Sequence, residues 1–225
     1  MAVVFFDFDS TVVTKETLDE VIIAALKNHP NRDDLVASVE SITRLGMEGK
    51  LDFKESLGRR LTVVPISKAL LEETGKAMMN ELTPGMPQVF EWLRSAGHTS
   101  YIASGGFEQC ILPVAEMLGV PRERLLTNRP RFDAHDMVSG VDETSLLWTN
   151  EGKGPVLRSI RQQYNDAQPF IIVGDGMNDY RAFESGAADV FCGFGANVRR
   201  ESVVKNAPHF FDSSDELMQF LKLSL

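Results

Sequence analysis

The sequence predicts an α/β fold: a doubly wound, Rossmann-like parallel sheet with a small helical cap inserted after the first strand. Three observations lead there. Short apolar runs rich in β-branched and aromatic residues alternate with helix-length stretches through most of the chain. The alternation breaks over 14–80, which reads as several helices with no convincing strand. Polar clusters stand at the carboxyl ends of the apolar runs, where parallel sheets bind ligands.

The strand-like runs fall at 2–8, 99–103, 169–174 and 189–192, with a weaker one at 209–211. Helical patterns lie at about 86–96, 106–118, 154–164, 179–186 and 213–223. Inside the insertion, Asp33 or Asp34 can cap a helix running towards Gly46, and Ser67 can cap another before Lys68-Ala69-Leu70-Leu71. Leu82-Thr83-Pro84-Gly85 stops the pattern with a turn. A second interruption at 125–150, holding Arg131-Phe132-Asp133 and Met137–Val141, reads as a short antiparallel hairpin. The expected division is therefore a catalytic core of 1–13 and 81–225, with the cap at 14–80.

The length of 225 residues suits one domain with an insertion, and a hydrophobic fraction of 43% can build a core. A net charge of −9 argues against a nucleic-acid backbone as partner. Two cysteines without paired spacing, Cys110 and Cys192, fit a reducing, cytoplasmic setting rather than a disulfide framework or zinc site. The scattered histidines show no metal-ligand spacing. Neither a signal peptide nor a membrane span is visible. Both a monomer and a homodimer stay open.

Four clusters carry chemistry. Asp7 and Asp9 close the first apolar run, Val3-Val4-Phe5-Phe6-Asp7-Phe8-Asp9. Residues i and i+2 on a strand share a face, so both carboxylates are expected to project from one strand end. Two anions that close call for a cation, and a metal is the usual answer; the plain alternative is an acidic turn. Ser104-Gly105-Gly106 follows the run Tyr101-Ile102-Ala103 and can offer a hydroxyl and amides to an oxyanion, although alone it reads as a strand-to-helix turn. Lys153 opens a helix; an isolated lysine is usually a solvated surface group. Val173-Gly174-Asp175-Gly176-Met177-Asn178-Asp179 again closes an apolar strand with two carboxylates. Together these supply metal ligands, phosphate donors and a neutralising cation, the parts of a phosphoryl-transfer site.

The order and contexts of these motifs resemble the haloacid dehalogenase superfamily over essentially the whole chain. Asp-x-Asp-x-Thr together with Gly-Asp-Gly-x-Asn-Asp is highly specific as a pair. The resemblance implies that Asp7 is a nucleophile forming an aspartyl-phosphate and that Asp9 is the general acid and base. It assigns Mg²⁺ to the Asp7 carboxylate, the Asp9 backbone carbonyl and Asp175, with Asp179 supporting. Ser104 and Lys153 are then expected to hold the phosphoryl oxygens, with Gly105, Gly106 and Asn178 beside them. A carboxylate suits the nucleophile because its pKa of about 4 keeps it ionised at neutral pH.

The cap segment Met47–Leu61, together with Leu82–Met86, Ser104–Phe107 and Gly193–Asn197, looks like the phosphoserine phosphatases. That resemblance implies that Glu16 meets a substrate ammonium, that Arg60 pairs with a carboxylate, and that Met47 and Phe53 close over the ligand. Helix geometry favours Arg60 over Arg59, because Phe53 and Arg60 are seven apart and share a face. L-phosphoserine offers an ammonium, a carboxylate and a phosphate to Glu16, Arg60 and the Mg²⁺ site, and dephosphorylating it would be the last step of serine biosynthesis. The relatives also include phosphatases for other small phosphates and a phosphotransferase that passes the group from phosphoserine to homoserine. A regulatory amino-terminal extension found in some relatives is not expected, because the chain starts only a few residues before Asp7. A receiver-type signalling domain would be shorter and capless. A non-catalytic binding module should have lost one of Asp7, Asp9, Lys153 or Asp175, and all four are present.

Overall fold

In the computed structural model, which describes residues 1–149, 151–164 and 167–225, the chain opens with β1 (Val3–Phe6), buried along its whole length. Four helices follow: α1 (Thr17–Ala25), α2 (Arg32–Met47), α3 (Phe53–Leu61) and α4 (Lys68–Ala77). Then come α5 (Met86–Ser95), β2 (Thr99–Phe107), α6 (Glu108–Met117), β3 (Leu125–Asn128) and a hairpin of β4 (Pro130–Phe132) and β5 (Val138–Val141). The chain ends with α7 (Lys153–Arg161), β6 (Phe170–Gly174), α8 (Met177–Glu184), β7 (Val190–Phe194), α9 (Glu201–Asn206), β8 (His209–Phe211) and α10 (Ser214–Ser224).

The main sheet has the order β3-β2-β1-β6-β7-β8, with every paired neighbour parallel. Its central strand is apolar on both faces, as helix-covered parallel strands require. Val4 and Phe6 pack with α5, α6 and α10, while Val3 and Phe5 pack with α7, α8 and α9. The strand period of two thus sends alternate residues of one run into two separate cores.

The helices between β1 and α5 build a third core around Val21, Ile22, Leu26, Val39, Leu57 and Leu71, into which Phe107, Cys110 and Val141 also pack. The strands leading in and out of this layer are stitched together: Val13 bridges Leu82, Thr14 N–H donates to the Glu81 carbonyl at 2.8 Å, and Thr83 N–H donates to the Val12 carbonyl at 2.9 Å. Asn197 reaches across from the β7 end and donates to the Thr83 hydroxyl at 2.6 Å and the Ser10 carbonyl at 3.1 Å. The layer also rests on α6, where a Cβ on Gly75 would stand 2.9 Å from Cys110 Cα. Glycine there lets α4 and α6 approach backbone to backbone.

Several boundaries differ from the sequence reading. Leu125–Asn128 is not part of a hairpin but the edge strand of the main sheet; only β4 and β5 are antiparallel, and residue 150 lies outside the described residues. A strand of four residues following Arg122-Glu123-Arg124 carries too little periodicity to stand out. β2 runs on through Ser104-Gly105-Gly106 to Phe107, so α6 starts two residues later than the pattern suggests. The first residue before α2 is Asn31, without a side-chain cap, so neither Asp33 nor Asp34 caps that helix; both lie in its first turn, where carboxylates favour the helix dipole. Ser67 does cap α4, its hydroxyl accepting from Leu70 N–H at 3.2 Å, and Asp52 caps α3 through Lys54 N–H at 2.9 Å, each worth about 1 kcal/mol. Among the described residues no helix is long and apolar enough to cross a membrane.

Candidate active site

The site grows from the carboxyl end of β1. Asp7 N–H still donates to the Val173 carbonyl of β6 at 2.8 Å; then the chain turns back on itself. The amides of Thr11, Val12 and Val13 all reach the Phe8 carbonyl, at 3.2, 2.8 and 3.1 Å. Ser10 takes a left-handed φ of 53°, uncommon for a residue with a side chain. This turn separates the two carboxylates that the i, i+2 spacing places side by side on one strand end. β1 ends at Phe6, so both lie beyond it and face different partners. Asp7 meets Lys153, whose Nζ is 2.9 Å from its Oδ1. Asp9 Oδ1 accepts from Thr17 N–H at 2.9 Å and from the Thr17 hydroxyl, at the start of α1. A Cβ on Gly106 would stand 3.7 Å from Asp9 Oδ2, so that oxygen faces the β2 loop.

Asp175 and Asp179 come from the end of β6 and the first turn of α8. With Asp7 they form a buried group of three carboxylates, each offering an oxygen within 4.8 Å of the others. Gly174 is required beneath them, because a Cβ there would overlap the Asp179 carboxylate. Two cations pair with the group: Lys153 with Asp179 at 2.6 Å as well as Asp7, and Arg200 with Asp175 at 2.9 Å. The cluster offers hard oxygen donors, the ligand type that magnesium-class cations take. This cluster can hold a metal ion.

Crowding of anions away from water shows in their proton affinities. Burial pushes Asp179 up to about 7 against the pull of Lys153, with Asp7 adding to the rise. Burial raises Asp175 well above the carboxylate range, opposed by Arg200 and reinforced by Asp7. Asp9 is raised to about 8, first by removal from bulk water and then by the neighbouring Glu16 charge, with Thr17 opposing. A carboxyl in that range can carry a proton at neutral pH and give it up. Burial alone would lower Lys153, but Asp179 and Asp7 outweigh it and keep the ammonium above its usual range.

These groups wall one cavity of about 70 Å³ between the sheet ends and the α1–α4 layer. Of the residues singled out from sequence, Asp7, Asp9, Glu16, Met47, Phe53, Arg60, Ser104, Gly105, Gly106, Lys153, Asn178 and Asp179 all line it. Asp175 does not; it joins from below through the carboxylate group. Lys153, which reads as a surface residue when taken alone, is the first residue of α7 and is buried. Phe53 lies against Gly105, where a Cβ would overlap its ring, and a Cβ on Gly176 would stand 3.9 Å from the Met47 methyl. Arg60 lines the cavity whereas Arg59 pairs with Glu55 at the surface, the outcome that their helical positions dictate.

Three participants were not legible. Asp19 forms a buried pair with Arg60 at 3.1 Å and is itself held by the Thr43 hydroxyl at 2.8 Å. Its spacing of three from Glu16 on a helix was the available signal. Arg200 bridges Asp175 and Glu16, the latter at 3.3 Å, while the Ser10 hydroxyl donates to Glu16 at 2.8 Å. Nothing distinguishes Arg200 from Arg199 in sequence, yet Arg199 turns outward to Asp212. Arg181 lines the cavity and donates to Asn178 Oδ1 at 3.1 Å.

Comparison with known proteins follows the same lines. Residues 4–184 match the family model of haloacid dehalogenase-like hydrolases. Phosphoserine phosphatase of Mus musculus is 31% identical over 215 residues, covering 96% of this chain and 91% of that one. A phosphoserine phosphohydrolase-like protein from Francisella tularensis superposes with a TM-score of 0.89 at 26% identity, covering 98% of this chain and all of the other (100%). A phosphoserine phosphatase solved as a phospho-aspartyl intermediate analogue superposes with a TM-score of 0.81 at 25% identity, covering 97% and 98%. The chain belongs to the haloacid dehalogenase-like hydrolases and, within them, to the phosphoserine phosphatase family.

Proposed function

We propose that this phosphatase hydrolyses L-phosphoserine to L-serine and phosphate, through phosphorylation of Asp7, with α1–α4 serving as the cap that selects the substrate. The observation that carries the reading is the meeting of two sets of charged groups in one small cavity. Asp7, Lys153, Ser104 and the Gly105–Gly106 backbone line it, and so do Arg60 and Glu16. Asp7 attacks phosphorus, the ester P–O bond breaks, and its electron pair leaves on the serine oxygen. Asp9 gives that oxygen its proton. Asp9 then takes a proton from the attacking water, whose oxygen displaces the Asp7 carboxylate and releases phosphate.

Mg²⁺ would be held by the Asp7 carboxylate, the Asp9 backbone carbonyl and Asp175, with Asp179 supporting. When bound it would neutralise charge between the anionic nucleophile and the phosphoryl group. Lys153 supplies the fixed part of that neutralisation, already placed against Asp7. Arg60 takes the substrate carboxylate on the side of its guanidinium not used by Asp19, and Glu16 takes the ammonium.

The test is phosphate release with Mg²⁺ over a panel of phosphomonoesters, with homoserine added in one arm. A strong preference for L-phosphoserine with free phosphate as product supports the reading. A flat panel would remove the substrate assignment, and phosphate appearing on homoserine would replace hydrolysis by transfer.

A further inference from the structure

The end of β2 departs from the ladder it makes with β3. The register pairs Ala103 with Leu126 and next pairs Phe107 with Asn128, so Ser104, Gly105 and Gly106 together face the single residue Thr127. A bulge of this kind frees backbone groups from the sheet and re-aims them. The freed Gly105 carbonyl does not go to solvent. The Asn128 side chain, fully buried, donates to it from Nδ2 at 2.8 Å. On its other side Asn128 Oδ1 accepts from the Ser145 hydroxyl at 2.6 Å, so its amide is fixed from both ends. Ser145 Oγ in turn accepts from Leu147 N–H at 3.3 Å, and Leu147 and Thr149 line the active-site cavity.

The Gly105–Gly106 peptide is trans, and a trans peptide is planar, so its carbonyl and its N–H point in opposite directions. Holding the carbonyl at Asn128 therefore aims the Gly106 N–H the other way. It points at Ser104 Oγ, 3.0 Å off, on the cavity wall. Between two glycines a peptide plane is otherwise free to rotate. We infer that Asn128 is a positioning residue: by gripping the Gly105 carbonyl it fixes the Gly106 N–H, which in turn holds the Ser104 hydroxyl to receive a phosphoryl oxygen, and Ser145 locks the orientation of Asn128. This rests on the reading that Ser104–Gly106 bind the phosphoryl group.

The test compares two competitive inhibitors of the Mg²⁺-loaded enzyme, inorganic phosphate and L-serine, in Asn128→Asp and Ser145→Ala. Asn128→Asp keeps the side-chain shape and the acceptor but sets a lone pair against the Gly105 carbonyl. It should weaken phosphate inhibition by about tenfold or more, the scale of one lost hydrogen bond to a charged ligand. Serine inhibition should stay within about twofold, since that end of the site has its own contacts. Ser145→Ala, the milder change, should weaken phosphate inhibition alone by about threefold, with an unaltered melting temperature. Loss of affinity for phosphate and serine together would mean general loosening and overturn the inference, as would unchanged phosphate inhibition in folded Ser145→Ala. Should serine fail to inhibit the unsubstituted enzyme, the substrate reading falls, while the phosphate constants still decide the role of Asn128.

Discussion

Gly105→Ala is the substitution whose consequence the structure specifies most fully. Gly105 has no left-handed torsion, so alanine fits its backbone. The difficulty is the added methyl group, which would overlap the Phe53 ring and stand 3.0 and 3.1 Å from its Cε1 and Cε2. Overpacking of this kind costs about 1–3 kcal/mol. The strain falls unequally on the two sides. The Gly105 carbonyl is held by the buried Asn128 side chain, whereas Phe53 is the first residue of α3 in the α1–α4 layer. The layer is the side that gives, so its seating over the cavity is what is penalised. A penalty of about 1–3 kcal/mol corresponds to an affinity loss of roughly 5–150-fold, which should appear in KM more than in the chemical step. Steady-state kinetics on Gly105→Ala, Phe53→Ala and the double variant test this. Phe53→Ala vacates the space that the methyl group needs, so the double variant should be less impaired than the two single effects combined, by at least about 1 kcal/mol. Strict additivity would refute the claim that Gly105 is glycine because of Phe53.

The other predictions concern charge. Arg60→Ala should raise KM for phosphoserine far more than for phosphoethanolamine, which lacks the carboxylate; equal effects would remove Arg60 from carboxylate binding. Arg200→Gln strips the guanidinium from Asp175 and Glu16, so thermal melting of the metal-free protein should report a loss of about 3–5 kcal/mol, partly restored by saturating Mg²⁺. Unchanged melting would show that Arg200 does not balance the acidic cluster. Asp179 is raised from 3.8 to about 7 and Asp9 from 3.8 to about 8, so the folded metal-free protein holds protons there that the unfolded chain gives up. Their contribution to stability is full below about pH 4 and is lost as pH rises through about 7 to 8. Mg²⁺ binding near pH 7 should therefore release protons, read by calorimetry in buffers of different ionisation enthalpy. A buffer-independent heat would contradict those raised proton affinities.

The sequence was most legible where one element carries its own signal. β1 and β6 are continuous apolar runs because both faces are covered, and each ends in carboxylates that announce a site. Arg60 could be separated from Arg59 because a helix assigns faces by spacing alone. What stayed hidden depends on contacts remote in sequence. β3 is a strand because β2 lies beside it, and its short run says little alone. Arg200 matters because the end of β7 returns the chain to Asp175 and Glu16, from positions 25 and 184 residues away respectively. Asp7 and Asp9 were legible as a pair but not in direction, since the turn around the Phe8 carbonyl parts them.

The account rests on Asp7 as the group that takes the phosphoryl from phosphoserine. The direct measurement is acid-quenched turnover of L-phosphoserine with Mg²⁺, followed by peptide mass mapping of the trapped protein, with Asp7→Asn run alongside. The account predicts an acyl phosphate on the peptide bearing Asp7 during turnover, and neither label nor turnover in the folded Asp7→Asn protein. A phosphoryl group on another residue, or phosphate release that continues in Asp7→Asn, would contradict it.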